Sequence, residues 1–184
     1  LLAGLVGFIS FRQMDDRRGV PVWRDLIAAI RGEPLPLPRP LPGFLLALEG
    51  GEGAGKTTQG ERLADWLRDN GYEVLLTHEP GATEIGERLR SVLLDVQTGV
   101  LSPRTEALLY AADRSEHVST VIRPALERGA VVITDRFIDS SVAYQGAGRE
   151  LPPAQIAKLS RWATDGLRPD LTLFGSYSEG FRAP

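Results

Sequence analysis

The sequence predicts an α/β fold, a parallel β-sheet flanked by helices on both faces, and three observations carry that prediction. Four short, nearly continuous apolar runs recur from residue 44 onward, and longer amphipathic segments separate them. The first run ends in the stretch LEGGEGAGKTTQ (48–59), too rich in glycine for a helix or strand interior. A chain of 184 residues with 42% apolar content can bury one sizeable core.

Taken in order, FLLAL (44–48), VLLT (74–77), VVIT (131–134) and LTLF (171–174) read as strands covered on both faces. Residues 57–69 place Leu63, Trp66 and Leu67 at helical spacing and stop at Asn70-Gly71, a helix C-terminal signal. LSPRTEALLYAADRSEHV (101–118) opens a second helix, with Ser102 as N-cap and Pro103 at the first helical position. Pro124 is expected to break it before ALERG. Strand-helix alternation implies right-handed crossovers between parallel strands, and such sheets gather ligands at the carboxyl ends of the strands.

The globular domain is expected over residues 43–174, with a divergent tail at 175–184. Residues 1–33 begin with LLAGLVGFIS, shorter than the roughly 20 apolar residues that span a bilayer. Two readings stay open. The run is either the end of a membrane helix, with Arg12, Arg17, Arg18 and Arg24 as its cytoplasmic basic flank, or a short buried or frayed helix. PLPLPRPLP (34–42) reads as an extended polyproline linker. A net charge of -3 argues against a nucleic-acid partner. The chain has no cysteine, which excludes a disulfide framework and a thiolate metal site and fits a reducing cytoplasm; His78 and His117 are its only histidines.

The glycine-rich stretch has the spacing Gly50-x-x-x-x-Gly55-Lys56-Thr57, a P-loop, and it has the required context of a buried strand before and an amphipathic helix after. A phosphate chain needs several backbone NH groups converging in one concavity, which calls for unusual dihedrals and no obstructing side chains. Residues Gly50, Gly51, Glu52, Gly53, Ala54, Gly55, Lys56, Thr57 and Thr58 are thus the candidate set for nucleotide phosphates. Lys56 offers charge to the β- and γ-phosphates, the Thr57 hydroxyl can ligate Mg2+, and the helix adds its positive end. The fold expected is the three-layer P-loop NTPase fold. GTPases, ATPases and small-molecule kinases all use such a loop, so other strand ends must decide among them. VVITDRF brings Asp135, able to hold Mg2+ or its waters, and Arg136, able to clamp a phosphate oxygen. THEPGAT ends the second strand, and YAADR puts Tyr110, Asp113 and Arg114 near one helical face. On their own, Asp113 and Arg114 read as a solvated pair, and a core aromatic is the bland alternative for Tyr110 and Tyr144.

As a set, EGGEGAGKTTQ, THEPGAT, LSPRTEALLYAADR and DRFIDSSVAYQGAG resemble the thymidylate kinase family in order and spacing, from about Gly43 to Phe174. The resemblance implies transfer of the ATP γ-phosphate to the 5′-phosphate of dTMP, with Mg2+ as cofactor, Lys56, Arg136 and Asp135 as the catalytic set, and Thr57 and Asp135 at the metal. It also implies that Arg136 and Arg90 bind the acceptor phosphate, Tyr110 stacks on thymine, and Arg114, Ser141 and Gln145 surround the base. Tyr144 would lie against the deoxyribose, with Glu52 and Glu79 as carboxylates on the sugar side. A homodimer and, through the residues at the amino end, a membrane tether are further family-like expectations. Gly53 stands where some members carry an arginine, and members with glycine there use arginines from a lid beyond the fourth strand. After PDLTLF the chain reads GSYSEGFRAP, unlike that continuation, so a C-terminal strand and lid are expected to be missing and turnover to be low. The alternatives are a nucleotide-binding remnant without catalysis and a deoxynucleoside kinase, against which EPGAT and SSVAYQG count.

Overall fold

The structure, a computed structural model, describes residues 43–141 and 151–175. The segment 1–33, the linker 34–42, Tyr144, Gln145 and the tail beyond Gly175 lie outside the described residues.

All four apolar runs are strands, each extending past its apolar stretch at the carboxyl end. They are β1 (Phe44–Gly50), β2 (Val74–His78), β3 (Val131–Asp135) and β4 (Leu171–Gly175). They form one parallel sheet in the order β2-β3-β1-β4. Leu48 and His78 both stand in register with Asp135, so the carboxyl ends of β1, β2 and β3 meet along one edge.

The pleat sends alternate side chains to opposite faces, and each face has its own cover. Leu46, Leu48, Val131, Ile133, Leu171 and Leu173 pack with Leu63, Ala64 and Leu67 of α1 (Lys56–Asp69). The helix ends at Asn70, where the Asn70 Nδ2 donates to the Trp66 carbonyl at 2.8 Å. On the other face, Leu45, Ala47, Val132 and Phe137 pack with Val118, Ile122, Ala125 and Leu126. Fully burying a leucine contributes roughly 1.5–3 kcal/mol, and Leu45 and Leu46 at the centre are both at 0% exposure.

After β2 come α2 (Glu84–Leu94), a short 3-10 turn (Val96–Thr98) and α3 (Pro103–His117). Thr83 caps α2 by accepting from the Gly86 amide at 2.8 Å, and Ser102 caps α3 as its sequence predicts, accepting from Thr105. The expected break at Pro124 is absent. A π-helical turn, Val118–Ile122, carries α3 into α4 (Arg123–Glu127), and Pro124 stands just after that turn. α5 (Ile138–Ser141) follows β3, and α6 (Pro153–Ala163) precedes β4. Among the described residues, no helix is long and apolar enough to cross a membrane.

Candidate active site

The loop from Gly51 to Gly55 joins β1 to α1 at the carboxyl edge of the sheet. Gly53 (φ 74°) and Gly55 (φ 76°) take left-handed conformations that L side chains rarely adopt. Gly50 is required by contact as well: a Cβ there would lie 2.1 Å from the Gly175 carbonyl of β4. Gly55 caps α1 without a side chain, so the first-turn amides of the helix face outward with its positive end. Lys56 folds its Nζ back to donate to the Gly51 carbonyl at 2.7 Å. Glu52 and Thr58 are exposed at the lip. This is a concave, amide-rich, cationic loop suited to a polyphosphate.

β3 delivers the next two groups. The Thr57 hydroxyl donates to Asp135 Oδ2 at 2.9 Å, while Asp135 Oδ1 is buried with no hydrogen-bond partner. Among the described residues no cluster of three or more metal-ligating side chains occurs. A Mg2+ carried by substrate phosphates needs only one or two protein oxygens and keeps several waters, so a hydroxyl and an orphaned carboxylate oxygen beside a phosphate loop fit it. Arg136 follows at φ 71°, a strained setting for a non-glycine residue, held by its amide to the Leu48 carbonyl at 2.8 Å.

A cavity of about 520 Å3 opens here, bounded by Glu52, Gly53, Lys56 and Thr57 on one side and by His78, Glu79, Arg90, Asp135 and Arg136 on the other. Arg90 Nη1 donates to the Pro80 carbonyl at 2.7 Å, which ties α2 to the loop after β2. Burial lowers the His78 pKa, and the nearby Arg90 charge lowers it further. Lys56, Arg90 and Arg136 thus set three cations around the cavity against the carboxylates of Glu52, Glu79 and Asp135.

Behind the cavity lies a buried polar network. Asp113 and Arg114 do not form a solvated pair; they are 1% and 2% exposed. Arg114 donates from Nε to Glu79 Oε2 (2.8 Å), from Nη1 to Ser160 Oγ (3.2 Å), and from Nη2 to the Phe137 carbonyl (2.9 Å) and Ser141 Oγ (2.8 Å). Its guanidinium also lies 5.6 Å from the Phe137 ring centroid. Asp113 Oδ1 accepts the Gly81 amide at 2.9 Å, and burial, reinforced by the charge of Glu79, raises its carboxyl to about 6. Tyr110 is half-buried on the same helix, its phenol pKa raised by burial and by Glu106.

The structure thus brings Gly50 to Thr58, Glu79, Arg90, Asp135 and Arg136 to one edge of the sheet, with Arg114 and Ser141 in the network behind it. Sequence reasoning missed His117, Thr77 and Ser160, which complete the network, and Glu49. Glu49 is 2% exposed, accepts the Phe137 amide at 2.9 Å and the Ser140 hydroxyl, and has its pKa raised by burial. The signal for His117 was present: it follows Tyr110, Asp113 and Arg114 at i+7, i+4 and i+3 on one helical stripe.

A thymidylate kinase family model matches residues 48–180 of the chain. The chain belongs to the thymidylate kinase family. It is 57% identical over 131 residues to the thymidylate kinase of Clavibacter sepedonicus, which covers 71% of this chain and 62% of that relative. To the thymidylate kinase of Leifsonia xyli subsp. xyli it is 54% identical over 137 residues, covering 74% and 65%. The chain therefore spans less than two thirds of the length of these thymidylate kinases. A crystal structure of thymidylate kinase from Ehrlichia chaffeensis superposes with a TM-score of 0.65 at 38% identity, covering 71% of this chain and 72% of that one. The parallel sheet flanked by helices is the P-loop fold of that family.

Proposed function

We propose that the protein transfers the γ-phosphoryl group of ATP to the 5′-phosphate of dTMP, giving ADP and dTDP. One observation carries this reading. A single cavity is lined both by the P-loop residues Lys56 and Thr57 and by Arg90 and Arg136 from other elements, so two phosphate groups can meet there.

The acceptor is an ionised phosphate oxygen, which needs no protein base; positioning and positive charge carry the rate. The loop amides from Gly51 to Gly55 and the start of α1 hold the ATP phosphates, and Lys56 leaves the Gly51 carbonyl for them. Thr57 and Asp135 would hold Mg2+, which supplies charge neutralisation on the phosphates when bound. Arg136 and Arg90 orient the dTMP phosphate toward the γ-phosphorus, whose bond to the ADP oxygen breaks as that to the dTMP oxygen forms. Tyr110 stacks on the base, Arg114 and Ser141 bound its polar edge, and Glu79 and Glu52 face the sugar. The family resemblance extends the site to Tyr144 and Gln145. The apolar side chains Ile85, Leu94, Val96, Val100 and Leu108 are exposed on and beside α2 and α3, and this supports a homodimer through that surface. The absence of cysteine supports a cytoplasmic setting, and the apolar-then-basic order of residues 1–33 supports a membrane tether.

Coupled ADP release with ATP, Mg2+ and dTMP tests the proposal. Release that depends on dTMP supports it. Release with thymidine in place of dTMP would assign a deoxynucleoside kinase, and binding of both nucleotides without release would assign a nucleotide-binding remnant.

A further inference from the structure

His117 is at 0% exposure, behind Thr77 and Glu79, which line the cavity wall. Its Nδ1 lies 3.1 Å from Glu79 Oε1 and its Nε2 2.8 Å from Thr77 Oγ1. An ionised carboxylate only accepts, so Nδ1 carries the hydrogen toward Glu79, and in the neutral ring Nε2 then accepts the Thr77 hydroxyl hydrogen. Both ring nitrogens are thereby committed to protein, and none is left for a substrate. Glu79 is shared in turn, with Oε1 toward His117 and Oε2 toward Arg114 Nε. Arg114 then orders Ser141 and the Phe137 carbonyl at the α5 side of the site.

We propose that His117 is a positioning residue for the acceptor nucleotide: it fixes the Glu79 carboxylate and, through it, the Arg114 fork that sets the base and sugar side of the cavity. The inference rests on dTMP being the acceptor. Removing the imidazole leaves Glu79 Oε1 in a buried site without its donor, and the carboxylate must then swing toward Arg114 or draw in water. Either response displaces Arg114 from Ser141. None of these groups touches the loop from Gly51 to Gly55, so ATP binding has no reason to follow.

Calorimetric titration of ATP and of dTMP into the parent, His117→Leu, His117→Asn and Thr77→Val chains tests this. His117→Leu should weaken dTMP binding roughly tenfold or more and leave ATP binding within about twofold. His117→Asn, whose amide NH2 can donate to Glu79, should recover most of the loss, and Thr77→Val should show a smaller loss in the same direction. If the leucine variant does not fold, the asparagine and valine variants decide by the same selectivity. ATP and dTMP affinities that fall together, an unchanged dTMP affinity, or an asparagine variant no better than leucine would overturn the inference while the proposed function stands. A parent that binds ATP but not dTMP would overturn the proposed substrate, and with it this role for His117.

Discussion

Arg114→Ala should cost the fold as well as the ligand, although the sequence alone points only to the ligand. In the structure the Arg114 side chain is 2% exposed and that of its partner Glu79 is 3% exposed, at 2.8 Å. Alanine removes the charge that compensates this buried carboxylate and four hydrogen bonds to Glu79, Ser160, Phe137 and Ser141. Breaking a buried pair by deleting one partner costs about 3–5 kcal/mol. At roughly 2–4 °C per kcal/mol for a domain of this size, the melting temperature should fall by about 6–20 °C. Thermal and urea unfolding followed by circular dichroism measure the loss. Pairing Arg114→Met with Glu79→Gln should be less harmful than the sum of the two single changes, since no unpaired charge remains. A melting temperature within about 2 °C of the parent, or strict additivity of the two changes, would refute the idea that Arg114 organises the network. At temperatures where the variant is folded, dTMP affinity should drop and ATP affinity should not.

Lys56→Ala should weaken ATP binding and abolish phosphoryl transfer while the circular dichroism spectrum stays the same; unchanged ATP affinity in calorimetry would contradict the phosphate loop assignment. Asp113 titrates near 6 in the fold against an ordinary 3.8, so the folded state holds its proton more tightly than the unfolded chain does. Its contribution to stability is therefore greatest in acid and declines as pH rises from about 4 to about 6. Asp113→Asn should flatten that part of the stability curve in urea titrations, and a curve with the parent slope would contradict the reading. Gly86→Ala would set a Cβ 2.5 Å from Asp113 Oδ1 and 3.0 Å from Thr83 Oγ1. It should destabilise by about 1–3 kcal/mol and loosen the loop after β2, seen as weaker dTMP binding with near-normal ATP binding.

β1, β3 and β4 were legible because strands buried on both faces are continuous apolar runs, and half-buried β2 carries the same short run. Their carboxyl ends were less so: Glu49, His78 and Asp135 are polar because that edge faces the site, so the apolar pattern stops before the strand does. The phosphate loop could be read in full, since its residues are contiguous and each has a local reason to be there. The network behind it could not. Arg114 looks like a surface charge until Glu79 and Ser141, 35 and 27 residues away, come within hydrogen-bonding distance, and Asp113 until the Gly81 amide, 32 residues away, donates to it. Periodicity reports which face of a helix is apolar, and says nothing of a polar face that is buried. Pro124 misled because a π-turn just before it, which the sequence does not announce, lets the helical run continue through the proline.

The most direct test follows the label from γ-labelled ATP in the presence of Mg2+ and dTMP, with nucleotides separated by chromatography. The account predicts label in dTDP, none in any product when Lys56 is alanine, and none in dTMP when thymidine replaces dTMP. Label that appears only as inorganic phosphate, or that stays in ATP while both nucleotides are bound, would contradict it.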